Sequence, residues 1–82
     1  MAKIVLQREV AADFADGETD HNVDADDVRQ LIKRLDERFP GIGKRLGDRT
    51  AVAIDGEIFQ DPMLQPIQTT SEVYFLPMIE GG

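Results

Sequence analysis

The chain has 82 residues, with 9 lysines and arginines against 16 aspartates and glutamates, a formal net charge of −7 and no cysteine. That length supports one small domain with a modest core, of a size that folds alone but only marginally. Lack of cysteine excludes a disulfide framework, a thiolate zinc site and a cysteine nucleophile, so any sulfur chemistry must use another group. The acidic balance argues against binding a nucleic-acid backbone, which needs a Lys/Arg surplus, and favours solubility, a basic partner or a salty habitat.

Met1-Ala2-Lys3-Ile4-Val5-Leu6 is too short an apolar run for a signal peptide or membrane span, so the expectation is a cytoplasmic protein with no membrane partner. Lys3 to Gln7 alternates, with Ile4 and Leu6 on one side, which is the period of a half-buried strand. Arg8 to Asp24 is polar; Gly17 offers a turn, and Glu18 to Val23 is a candidate second strand pairing back on the first. Val28, Leu31, Ile32, Leu35 and Phe39 then follow helical spacing, with Asp24 or Asp26 to cap the helix and Pro40-Gly41 to stop it. Ile42 and Leu46, set among three glycines and two basic residues, read as a compact turn dropping two apolar anchors onto the core.

Thr50 to Ile54 alternates as a strand, Asp55-Gly56 signals a tight turn, and Glu57-Ile58-Phe59 is the short returning strand. Pro62 and Pro66 bracket a loop from which Met63, Leu64 and Ile67 are expected to plug the core. Glu72 to Pro77 is the last strand. The order strand, strand, helix, strand, strand, strand describes one α+β domain over residues 1–77, a single helix packed across a mixed sheet of four to five strands. Residues 78–82 are expected to be a flexible tail ending in Gly81-Gly82. Two glycines without Cβ atoms can thread a narrow channel and present a backbone carboxylate to another protein's active site.

With Val73 and Phe75 facing the core beside Ile4, Leu6, Val52 and Ile54, residues Tyr74 and Leu76 point outward next to Val5, Ala51 and Ala53. This leaves a shallow apolar patch beside the tail, which Phe59 could extend. Other constellations weaken on inspection. Asp20, Asn22, Asp24 and Asp26 lack the glycine and bidentate glutamate of a calcium loop. Gly41-Ile42-Gly43-Lys44 follows a helix and lacks the ending of a phosphate loop, so it reads as a turn. His21, the single histidine, is expected on the surface or in a loop. No acid–base pair, nucleophile or metal site stands out.

The helix, Phe39-Pro40-Gly41-Ile42 with Arg45-Leu46, the Ile54-Asp55-Gly56-Glu57 hairpin and Glu72-Val73-Tyr74-Phe75-Leu76-Pro77 running into Gly81-Gly82 together resemble the ubiquitin-like β-grasp sulfur carriers of the MoaD/ThiS family. The extra Pro-Gly and Arg-Leu turn is more similar to the molybdopterin synthase small subunit than to ThiS. Two departures stand out: Thr69-Thr70-Ser71 occupies the place of an acidic-glycine turn, and Met78 that of a second proline. The resemblance implies a carrier rather than an enzyme, with no bound cofactor. An activating enzyme uses ATP to adenylate the terminal carboxylate, here Gly82 with Gly81 giving slim approach, and a sulfur donor replaces AMP. The thiocarboxylate then serves molybdopterin or a related metabolite with a large synthase-type subunit. The partner contacts it suggests are Phe59, Tyr74, Leu76, Pro77, Met78, Ile79 and Glu80. Two alternatives share the chain's features: a ubiquitin-like modifier joined to lysines through the same terminus, and a plain interaction domain with an inert tail.

Overall fold

The computed structural model describes residues 1–47 and 50–77. The order is β1 (Ala2–Val5), α1 (Arg8–Phe14), β2 (Asp20–Val23), α2 (Val28–Arg38), α3 (Ile42–Gly47), β3 (Thr50–Ile54), β4 (Glu57–Phe59) and β5 (Glu72–Pro77). The strands form one mixed five-stranded sheet in the order β2-β1-β5-β3-β4. β1 and β5 pair in parallel, and every other pairing is antiparallel. The expected strands are all present, and β2 does pair back on β1.

The three helices lie on one face. Ile4 from β1, Val52 from β3 and Val73 and Phe75 from β5 meet Leu31 and Leu35 of α2 and Ile42 of α3, each of them at most 2% exposed. The main helix α2 forms because its apolar stripe has this sheet to cover. Its cap is Asp27, not Asp24 or Asp26: the Asp27 side chain accepts from the Gln30 N–H, and the Gln30 side chain in turn accepts from the Asp26 N–H at 2.6 Å. This is close to a capping box, displaced by one residue.

Two short helices replace segments that read as irregular. α1 lies within the stretch that looked merely polar, and is held by burial of Val10 and Ala11 rather than by a capping side chain. α3 takes the place of the compact turn, yet Ile42 and Leu46 are buried as anchors. Gly41 at φ +98° turns the chain between α2 and α3, in a conformation that disfavours side chains. A Cβ there would also meet the Phe14 ring at 3.2 Å.

The loop before β5 behaves differently from expectation. Ile67 is buried, but Met63 and Leu64 are 39% and 80% exposed and do not plug the core. The loop contributes its backbone instead: the Val28 and Arg29 N–H groups at the start of α2 donate to the carbonyls of Gln65 and Met63. Those are donors that a helix cannot satisfy internally. Thr69-Thr70-Ser71 makes its turn without glycine, because the Ser71 hydroxyl accepts from the Gln68 N–H while the Ser71 N–H donates to the Gln68 carbonyl.

His21 is also placed differently. It is an inward position of β2, 8% exposed, with its ring edge-on to Phe39 at 5.2 Å. A carbonyl can only accept, so Nε2 carries the proton and donates to the Glu18 oxygen at 2.7 Å, which satisfies the buried ring. No described helix is long and apolar enough to cross a membrane.

Candidate functional site

The sheet face opposite the helices carries an apolar row. Register pairs Val5 with Tyr74, Tyr74 with Ala53, and Ala53 with Ile58, so four strands contribute one residue each to a line across the sheet. Tyr74 is 39% and Ile58 62% exposed, while Val5 and Ala53 are half-buried between them. Leu76 lies two residues along β5 from Tyr74, paired with Ala51. Beside this row run charged and polar groups, with Lys3 paired to Asn22 and to Glu72, and Asp20 paired to Val5. An apolar line with a polar rim is the usual form of a partner surface.

Of the expected contacts, Tyr74 and Leu76 come together on this face. Phe59 does not extend it: its partner is Val52, and its side chain packs against the core on the helix side. The two-residue Asp55-Gly56 turn explains why, since it pairs Ile54 with Glu57 and thus sends Ile58 outward and Phe59 inward. Ile58 is the contact that sequence reasoning missed, although that turn fixes its register. Pro77 also faces the helix side, opposite Thr50. Met78, Ile79, Glu80, Gly81 and Gly82 lie outside the described residues.

On the helix side, where β5 ends, a groove of about 500 Å³ opens between α1 and α3. Val10 and Phe14 of α1, Gly41, Lys44 and Arg45, and Pro77 itself line it. Arg45 is tied to α1 by an ion pair with Asp13 at 2.8 Å. The Gly41-Ile42-Gly43-Lys44 segment is no anion cradle, because Asp36 already fills it. One carboxylate oxygen, Oδ1, accepts from the Gly41 N–H at 3.1 Å and from the Gly43 N–H at 2.9 Å.

A mixed sheet in this strand order, crossed on one face by a main helix, defines a ubiquitin-like β-grasp protein. Within that class, the model of the ThiS family matches residues 7–82, and the chain belongs to this family of ubiquitin-like sulfur carriers. Its members are small carriers rather than catalysts. No curated protein sequence matches the chain.

Solved structures agree on the fold. A chain of the Amycolatopsis orientalis BexX/CysO complex superposes with a TM-score of 0.84 at 18% identity over 100% of both chains. Mycobacterium tuberculosis CysO, described as an antigen, superposes at 0.84 with 17% identity over 96% of this chain and 100% of its own. Haloferax volcanii SAMP1 gives 0.70 at 19% identity, over 99% and 98%. At such identities the likeness is one of fold.

Proposed function

We propose that the chain carries sulfur on its C-terminal Gly82 and delivers it to molybdopterin or a related sulfur-bearing metabolite, working in the cytoplasm. A carboxylate is a poor electrophile until one oxygen becomes a good leaving group. In the proposed sequence the Gly82 carboxylate attacks the α-phosphate of ATP on an activating enzyme, and pyrophosphate leaves. A sulfur donor then displaces AMP to give the thiocarboxylate, so one hard substitution becomes two easier ones. The synthase-type subunit takes the sulfur from it.

The observation that carries this reading is membership of the ThiS family, whose model extends through Gly82. The outward row of Val5, Tyr74, Ala53 and Ile58 supports it, because a carrier has to dock before its tail can enter another protein's channel. The likeness to a chain of the BexX/CysO complex supports docking on a partner protein.

Intact mass of the protein isolated from its native host tests the reading: one terminal oxygen exchanged for sulfur is expected. An unmodified terminus joined to lysines of other proteins would make the chain a modifier instead. Gly82→Trp is expected to abolish adenylation, measured as ATP–pyrophosphate exchange with the activating enzyme, while the folded fraction is unchanged. Exchange at the original rate would overturn the assignment of Gly82.

A further inference from the structure

We propose that the outward row of Val5, Tyr74, Ala53 and Ile58 is met by a protein surface that sets lysines or arginines around an apolar centre, and that charge steers the chain onto it. The inference rests on the docking reading above and adds the chemistry of the partner, which is the face that the activating enzyme turns toward the sheet. Charge is sorted along the sequence. From Thr50 to Gly82 there is no lysine, arginine or histidine, only the acids Asp55, Glu57, Asp61, Glu72 and Glu80. The first 49 residues hold all nine cations against eleven acids, so five of the seven net negative charges fall in the last 33 positions. A general adaptation to salt would thin the cations along the whole chain; here they stop with Arg49.

The fold turns that boundary into a difference between faces. Seven of the nine cations, Arg8 on α1, four on α2 and Lys44 and Arg45 on α3, belong to the helices behind the sheet. Strands β3, β4 and β5, which supply Ala53, Ile58 and Tyr74 to the row, carry none. Two exposed acids flank the row on its own face: Asp20 pairs with Val5 at one end, and Glu72 sits two residues before Tyr74 in β5. A third carboxylate adjoins them, since the Asp55 side chain accepts from the Glu72 N–H at 2.9 Å. Lys3, paired with Asn22 and Glu72, is the only lysine or arginine in any described strand.

These features specify one kind of occupant. An apolar line needs an apolar counter-surface, and acids at its rim lose their water when a partner closes over them, so the partner has to bring cations to meet them. A second copy of the chain would bring the same acids to the same row, and a net charge of −7 on each copy opposes the encounter. A nucleic acid or an anionic membrane is repelled for the same reason. Opposite potentials raise encounter rates by about ten-fold or more, and salt removes the gain. Lys3 opposes the field from within this face, so it is the residue whose neutralisation helps the partner arrive.

The test is the association rate of the full chain with the activating enzyme, purified from the native host by the ATP–pyrophosphate exchange it shows with this chain. Surface plasmon resonance without ATP reads the rate at low and high salt, and a fall of about tenfold is expected. Asp20→Asn and Glu72→Gln each remove one acid and are expected to slow association about two- to fivefold, the effect of an exposed charge pair. Lys3→Gln is expected to speed it by a similar factor, an outcome that a lost contact or a damaged fold cannot give. Glu37→Gln, exposed on α2, changes the net charge by the same amount on the helix side and is expected to leave the rate unchanged. A salt-independent rate, a slower Lys3→Gln protein or an equal response to Glu37→Gln would overturn the proposal. Salt-independent association with exchange that Gly82→Trp abolishes would sink this inference alone. Salt-dependent association with exchange that survives Gly82→Trp would sink the Gly82 reading alone, and a host with no exchange activity would sink both.

Discussion

At the scale of single residues, local backbone demands decide where particular amino acids have to sit. Asp55 and Gly56 both have positive φ, +50° and +89°, as the two-residue turn joining β3 and β4 requires. Asp55 earns its place twice, since its N–H donates to the Glu72 carbonyl and its side chain accepts from the Glu72 N–H, tying the turn to the start of β5. Nothing lies within 4 Å of a Cβ built on Gly56, so the cost of a side chain there is backbone strain alone. Gly56→Val is therefore expected to destabilise the fold by about 1–2 kcal/mol, read from the midpoint of urea unfolding. A neutral result would mean that the turn relaxes to another type, and Ile58 would then lose its outward register.

At the scale of elements, the short helices are held by partners distant in sequence. The residue before α3 is Gly41, which has no side chain to cap it, and Asp36, still inside α2, reaches forward to do so. Asp36→Ala removes the acceptor of two backbone N–H groups and is expected to cost about 1 kcal/mol, the usual effect of losing an N-cap. It should also raise amide hydrogen exchange at Gly41 and Gly43 well before exchange in the sheet, because local opening precedes global unfolding. The same dependence explains what the sequence concealed. The strands and α2 were readable because alternation and helical spacing are properties of a segment by itself. α1 and α3 are too short to persist alone in water, so they exist through tertiary packing of Val10, Ala11, Ile42 and Leu46. His21 was misplaced for a related reason: its burial depends on Phe39 at the end of another element. Phe59 was different, since the Asp55-Gly56 turn contained the register that puts it inside and Ile58 outside. Of the candidate site, the outward placement of Tyr74 and Leu76 was legible, while the α1–α3 groove was not, because neither wall was visible as a helix.

For the whole molecule, the sheet separates two kinds of surface, one that holds the domain together and one free to meet a partner. The separation runs through a single strand. Phe75 is 2% exposed on the helix side, and its neighbour Tyr74 is 39% exposed on the other. Phe75→Ala is expected to cost about 3–5 kcal/mol through lost burial and the cavity left behind. Since native domains are stable by only about 5–15 kcal/mol, that change alone removes most of the margin at the lower end of the range. Tyr74→Glu and Ile58→Glu touch the other face, where each should alter stability by no more than about 1 kcal/mol. If the row is the docking surface, either charge should weaken binding to the activating enzyme by about 2 kcal/mol, roughly thirty-fold, as truncating an interface anchor does. The measurement pairs urea unfolding with titration calorimetry for the three variants. Folded Tyr74→Glu and Ile58→Glu proteins that bind at full strength would move the docking surface elsewhere. Weakened binding with intact folding would place it on the row of Val5, Tyr74, Ala53 and Ile58.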